Sequence, residues 1–463
     1  MNIFNYFQST LSVDQQEALK RIESFLFSPD KNCFILRGYA GTGKTYLLKG
    51  LIDYLTGCDK NTRIMAPTGR ASMVINDKVG LDIARTIHGT IYDMEHILFN
   101  EETFKYYFAL KSNIQTIDTV YIIDESSMVS DKHNEGEFLS FGTGYLLKDL
   151  ISFIDIEHRK GAKIIFIGDN AQLPPIGMEF SPALNGDYLE DQYGLVVDDF
   201  EMKKIIRQQE DSGILSSATY FRDCLEINDY KQFDLKESDD IEPLNTDNFT
   251  KRYLEVISSE GQNNSVIITS TNNQALIYNN NIREKFFPGN DYIQKGDILI
   301  NTKNNGSDIF KIYNGQFLKV VDVEEKTESR IVRFYKRGGK GRVVEENLIF
   351  RNIVVKIING NNKGESIKCK IIDSLLNSNS PSLKSDEQQA LYVDFQKRND
   401  DVKVGSEEFR MRMIKDEYLN AFQVKYGYAV TCHKAQGGEW DNVFVDFSIF
   451  MKVLSREGFR WCY

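Results

Sequence analysis

The segment Gly38-Tyr39-Ala40-Gly41-Thr42-Gly43-Lys44-Thr45 constrains this chain more than any other. It satisfies G-x-x-x-x-G-K-[ST], follows the apolar run 33–36 and opens the helical stretch 46–55, the two contexts that mark a phosphate-binding loop. Gly38, Gly41 and Gly43 let successive backbone N–H groups around Thr42 point inward at phosphate oxygens, at the positive end of a helix. Lys44 then reaches the outer phosphates and Thr45 ligates Mg²⁺. The bland alternative is a Gly-rich turn carrying an exposed lysine.

The surrounding pattern supports the loop. Candidate strands at 33–36, 63–66, 119–123 and 163–167 alternate with helical stretches, and each runs into a polar or Gly-rich segment at 38–45, 67–72, 124–127 or 168–172. Ligands of open α/β sheets bind outside the carboxyl ends of the strands, so the four segments imply one shared site. A second α/β unit is expected from about Glu201, with a strand at 266–269, a helix from Asn272, and later strands at 428–431 and 443–447. Between about 315 and 425 the composition suggests short strands separated by Gly and Asn, a β-rich insertion. Within it, 373–389 is rich in Ser, Asn and charge and reads as a surface loop or mobile linker. The expected domains are 1–200, then 201–314 together with 426–463, with 315–425 inserted.

Composition limits the partners. At 463 residues, 41% hydrophobic and 27% charged, the chain can bury a large core, which excludes disorder, fibrous repeats and a single small module. Its 56 Lys+Arg against 67 Asp+Glu give a net charge of −11, so a polyanion must be held by a local groove. Six scattered cysteines without ligand-like spacing imply free thiols in a reducing compartment. No apolar run approaches the ~20 residues that span a bilayer, and the first ten residues lack the order of a signal peptide. A cytoplasmic protein is expected.

Other motifs carry chemistry. Tyr121-Ile122-Ile123 ends in Asp124-Glu125, adjacent carboxylates that are costly to bury without a task. Asp124 suits a Mg²⁺ shell and Glu125 the base that polarises a water; alone, such a pair is a solvated strand exit. The apolar strand 163–167 similarly runs into Gly168-Asp169-Asn170-Ala171-Gln172, where Gln172 is placed to sense a terminal phosphate or orient water. Ser12 and Gln15 fit a helix capping box. The run 330–342 holds six basic residues and no acid, and reads as a hairpin with a Gly-rich turn: either a polyanion-facing patch or a solvated tip.

In this order the segments resemble the superfamily 1 helicases, most closely the RecD-like and Dda-like group of subclass B. The matching stretches are 11–19, 38–45, 66–72, 86–89, 124–128, 168–175, 207–208 and 431–439. The resemblance implies two RecA-like P-loop domains, with ATP and Mg²⁺ in the cleft between them and single-stranded DNA across their tops. It also implies a strand-separating pin near 90–115 and an SH3-like fold for the β-rich insertion. By resemblance Gln15 reads adenine, in competition with its capping role. Arg207 is an arginine finger, or else a surface helix arginine. Gln436 and Glu439 link nucleotide to the DNA track. Thr68, Thr86, His88, Thr431 and His433 contact the single strand, although both histidines also suit a structural role. The aromatics of 99–108 either stack on fork bases or form the small core of the pin.

The implied activity is ATP-driven 5′→3′ translocation along single-stranded DNA with unwinding of fork DNA, by a monomer. Family members carry a further arginine-bearing segment for which Arg460-Trp461-Cys462-Tyr463 resembles the entrance, so the resemblance implies that its arginine is missing here and ATP turnover impaired; Arg456 and Arg460 are candidate substitutes, though neither sits in the expected sequence context. The rival reading is a nucleotide-gated DNA-binding subunit of a repair or defence complex with weak ATPase activity alone. A nucleotide kinase would not need 66–72, Gln172 and 431–439 in that order.

Overall fold

Strands buried on both faces need continuous apolar runs, and these become the central strands of a parallel sheet. The computed structural model describes residues 2–100, 105–134, 139–205, 212–233, 235, 237–260, 264–306, 311–335, 343–359, 363–448 and 455–463. They fall into two compact units. The first lies within Met1–His96, Tyr107–Pro243 and Phe450–Tyr463, the second within Ile97–Tyr106 and Leu244–Ile449.

The first unit runs α1 (Val13–Phe27), β1 (Cys33–Gly38), α2 (Lys44–Gly57), β2 (Thr62–Ala66), α3 (Gly69–Val79), β3 (Ala84–Thr86), α4 (Ile87–Ile91), β4 (Tyr92–Asn100) and β5 (Lys105–Leu110) except for their parts within Ile97–Tyr106, β6 (Val120–Ile123), β7 (Leu139–Phe141), α5 (Leu146–Ile154), β8 (Lys163–Gly168), α6 (Gly186–Tyr193), β9 (Val197–Met202) and α7 (Gly213–Ile227). Its main sheet has the order β3-β2-β6-β8-β1-β9, every neighbour parallel. The central β6 and β8 are buried along their whole length. Leu19, Ile22 and Phe25 of α1 and Leu47, Leu48 and Leu51 of α2 pack with Phe34 and Leu36 of β1, each such side chain contributing about 1.5–3 kcal/mol by burial. The boundary expected after residue 200 cuts through β9, which pairs with β1 from Cys33↔Val197 to Gly38↔Met202 and so belongs to the first sheet.

Strands β4, β5 and β7 form a separate three-stranded sheet where the pin was expected. Of its aromatics, Phe108 is buried and stacks on Phe141 at 4.9 Å, and Phe141 meets Tyr92 at 5.3 Å. Residues 101–104 and the side chains of Phe99 and Tyr106 lie outside the described set.

The second unit runs α8 (Thr246–Glu260), β10 (Ser265–Thr269), α9 (Asn272–Phe286), β11 (Ile298–Asn301), β12 (Asn305–Gly306), β13 (Lys311–Ile312), β14 (Phe317–Tyr335), β15 (Val343–Ile357), β16 (Ser366–Ile372), α10 (Ser385–Arg398), α11 (Glu407–Lys415), β17 (Val424–Tyr426), β18 (Ala429–Thr431), α12 (Cys432–Ala435) and β19 (Asn442–Val445). A parallel sheet β18-β10-β19 stands beside an antiparallel sheet β16-β15-β14-β11-β17. Two expectations for 315–425 are corrected. The strands are long, β14 reaching 19 residues with register shifts between Val320/Asp322 and Val323/Thr327. The stretch 373–389 is not a loose linker: Leu375, Leu376 and Leu383 are buried, and α10 starts at Ser385. Among the described residues no helix is long and apolar enough to cross a membrane.

Candidate nucleotide site

The carboxyl edge of the main sheet gathers the chemistry. The phosphate loop leaves β1, Asp124 and Glu125 leave β6, and Asp169 leaves β8, with β8 paired to both β1 and β6. Gly41 and Gly43 have φ of +83° and +86°, a region that L side chains rarely enter. Gly38 has a different reason: a Cβ there would lie 2.8 Å from Thr42 Oγ1. Thr42 is buried and donates to the Tyr39 carbonyl at 2.8 Å. Lys44 opens α2 and its ammonium donates to the carbonyls of Gly38 and Tyr39, so it is folded across the loop.

Gln15 performs the capping role in full. Its Oε1 accepts the Ser12 N–H at 3.0 Å while Ser12 Oγ accepts the Gln15 N–H. Its Nε2 also donates to the Thr42 carbonyl at 3.2 Å, which ties α1 to the phosphate loop.

Asp124 is buried, and its Oδ1 accepts the Glu125 N–H at 2.9 Å. Burial pushes its carboxyl above the usual range, while Lys44 pulls the other way. Glu125 is pushed up to about 7, first by burial and then by the Asp124 carboxylate. A carboxyl group near 7 exchanges its proton around neutral pH. The Glu125 backbone is left-handed, φ +52°, a conformation that costs a non-glycine residue about 1–3 kcal/mol and concentrates at functional sites. Asp124 and Thr45 also fit Mg²⁺, which takes one or two protein oxygens and completes its shell with water and phosphate. Among the described residues no group of three or more His, Cys, Asp or Glu forms a protein-only metal cage.

The other expected residues divide by unit. Thr68 caps α3 and Thr86 caps α4, each accepting a backbone N–H, at the carboxyl ends of the paired strands β2 and β3. The His88 ring packs against Tyr92 at 5.4 Å and Phe141 at 5.3 Å, and burial holds its pKa down, as in a structural histidine. Gln172 sits past β8 with its N–H on the Asp169 carbonyl. Thr431 ends β18 and is buried, His433 lies in α12, and Gln436 and Glu439 follow, all in the second unit. Arg207 lies outside the described residues.

Several neighbours had no sequence signal or a weak one. Asp169 was legible as a second acid at a strand exit; it accepts the Ala171 N–H at 2.9 Å. Tyr39 carries the Arg222 guanidinium 4.2 Å over its ring and donates to Glu226, both on α7. Tyr463 reaches the loop from the far end of the sequence. In the second unit Lys425 and Lys434 line a small cavity with Asn272 and Thr431, and burial lowers both lysines to about 8.

A parallel α/β sheet with a Gly-rich turn after β1 and an Asp-Glu strand exit has the architecture of a nucleotide-binding protein. Residues 26–178 match the AAA domain family and 426–463 the UvrD-like helicase C-terminal domain family. The RecBCD enzyme subunit RecD of Buchnera aphidicola (subsp. Schizaphis graminum) is 25% identical over 89% of this chain and 65% of that protein. An uncharacterized protein of Methanocaldococcus jannaschii is 26% identical over 89% of this chain, which spans only 34% of it. An uncharacterized protein of Acanthamoeba polyphaga mimivirus is 24% identical over 93% of this chain and 92% of its own length. These matches support a likeness to the RecD-like helicases of superfamily 1, subclass B.

Proposed function

We propose that the chain is an ATP- and Mg²⁺-dependent translocase that moves 5′→3′ along single-stranded DNA and unwinds fork DNA, acting as a cytoplasmic monomer. The observation that carries the reading is the meeting of Lys44, Asp124 and Glu125 at one sheet edge, with Glu125 raised to about 7. Lys44 exchanges its two loop carbonyls for the outer phosphates. Thr45 and Asp124 hold Mg²⁺, which neutralises charge on the phosphate oxygens when bound. Glu125 accepts the proton of the attacking water, and Gln172 orients that water. Arg207 supplies the guanidinium that stabilises the transition state. Thr68 and Thr86 hold strand phosphates without a full charge, so the grip can be released, and Thr431 and His433 do the same in the second unit. Gln436 and Glu439 relay nucleotide state to the strand. The direction of travel rests on the family resemblance.

The test is ATP hydrolysis with and without single-stranded DNA, followed by unwinding of substrates with a 5′ or a 3′ overhang. Strong stimulation and 5′-overhang unwinding are expected. The RecD relative is a subunit of the RecBCD enzyme, which favours the second reading, a nucleotide-gated DNA-binding subunit. Nucleotide-dependent DNA binding with unstimulated hydrolysis would select it.

A further inference from the structure

We propose that Tyr463 is an internal latch that competes with nucleotide for the phosphate loop. Its hydroxyl accepts the Ala40 N–H at 3.1 Å and donates to Asp169 Oδ2 at 2.6 Å. One phenol oxygen therefore bridges the loop after β1 and the acid after β8. Loop N–H groups of this kind serve anion oxygens, and here the phenol oxygen takes one of them. Burial raises the Tyr463 hydroxyl well above its ordinary pKa, so it keeps the proton that it gives to Asp169.

The latch has its own anchorage. Tyr463 follows the helix Arg456–Cys462, whose Phe459 is buried edge-on against Phe221 of α7 at 5.5 Å and Tyr230 at 5.3 Å. Arg460 donates to the Glu179 carbonyl at 2.6 Å. Helix α7 also holds the loop itself, through Arg222 over Tyr39 and Glu226 on the Tyr39 hydroxyl. Seating a phosphate oxygen on the Ala40 N–H takes that donor from Tyr463. The Asp169 bond must then hold the phenol alone, beside an incoming anion. The inference rests on the reading of residues 38–45 as a nucleotide site.

Tyr463→Phe keeps the ring in its apolar cluster and removes only the bridge. The affinity for Mg-ADP should rise about tenfold, the scale of a lost hydrogen bond to a charged group. A second readout does not need nucleotide. Cys462 is half-buried beside the latch, while Cys33, Cys224 and Cys369 are buried internal controls. Maleimide labelling of Cys462, read by peptide mass, should be several-fold faster in Tyr463→Phe than in the parent, and Mg-ADP should bring the parent to that rate. Asp169→Asn should move both readouts the same way by less. Unchanged or weaker Mg-ADP affinity in Tyr463→Phe, or Cys462 labelling at the parent rate, overturns the latch while leaving the nucleotide reading intact. Equal Mg-ADP binding by the parent and Lys44→Ala overturns the nucleotide reading and the competition together.

Discussion

Two regions of this chain looked suited to a polyanion, and the structure treats their charges in opposite ways. In the phosphate loop a single lysine, Lys44, donates its hydrogen bonds to neutral carbonyls, with Asp124 and Glu125 acting on it only through space. In the β14–β15 hairpin the two described cations of the basic run already have acids. Arg330 pairs with Asp394 at 3.2 Å and lies 3.9 Å over the Tyr418 ring, and Arg333 pairs with Glu345 directly across the strands. Residues 336–342, the remainder of the basic run, lie outside the described residues. A run of basic letters measures charge density in sequence, whereas binding depends on charge left uncommitted by the fold.

The largest effect that could break this comparison is at the loop. Lys44→Ala removes the charge that holds the outer phosphates and should abolish ATP turnover with the fold intact; parent-like turnover by the folded variant would move the site elsewhere. Next, Glu125→Gln keeps shape but cannot take a proton, so hydrolysis should drop by ~10²-fold or more while nucleotide binding survives. Asp124→Asn should instead alter the Mg²⁺ requirement. Equal, mild losses from both would reduce the pair to a solvated strand end.

A smaller effect is pH-dependent. Glu125 stands at about 7 in the fold against 4.5 for a free side chain, so the fold favours its protonated form. The associated stability is complete below pH 4.5 and is lost as pH rises through 7. Turnover should therefore increase with pH through about 7, where the base form appears. Glu125→Gln should raise the apparent Tm at pH 8 and leave it unchanged near pH 4. A variant whose Tm tracks the parent at both pH values would refute the buried-carboxylate account.

The smallest effect belongs to the hairpin. Arg333→Ala should leave the salt dependence of single-strand binding unchanged, because Glu345 already neutralises the guanidinium. A change near ~0.7 in the log–log slope, the value of one phosphate contact, would return the hairpin to the DNA interface.

What was legible in the sequence follows the same division. The phosphate loop and the strand exits at Asp124 and Asp169 announce themselves because glycines, a lysine and acids must stand at fixed points after apolar runs. The turn at 330–342 was legible as a hairpin, but the length of its strands was not, because the middle of β14, from Val321 to Ile331, is largely exposed and offers no period-two apolar signal. Residues 373–389 were read as a linker because their buried leucines, Leu375, Leu376 and Leu383, are too few among Ser and Asn to form a pattern. Tyr463 had no signal at all: nothing local to it points toward Ala40, more than four hundred residues away.

The strand order of the main sheet also sets a length. From β1 to β3 there are four steps, through β8, β6 and β2; at ~4.8 Å per step they place the exit toward Thr86 about 19 Å from that toward Lys44. Nucleic acid advances 3.4 Å per base along a stacked strand, so this edge is a ruler about five or six bases long. A close-packed sheet transmits strain without shortening. If single-stranded DNA follows this edge as proposed, the number of bases between the two exits is fixed by the sheet, and any stride must come from movement outside it.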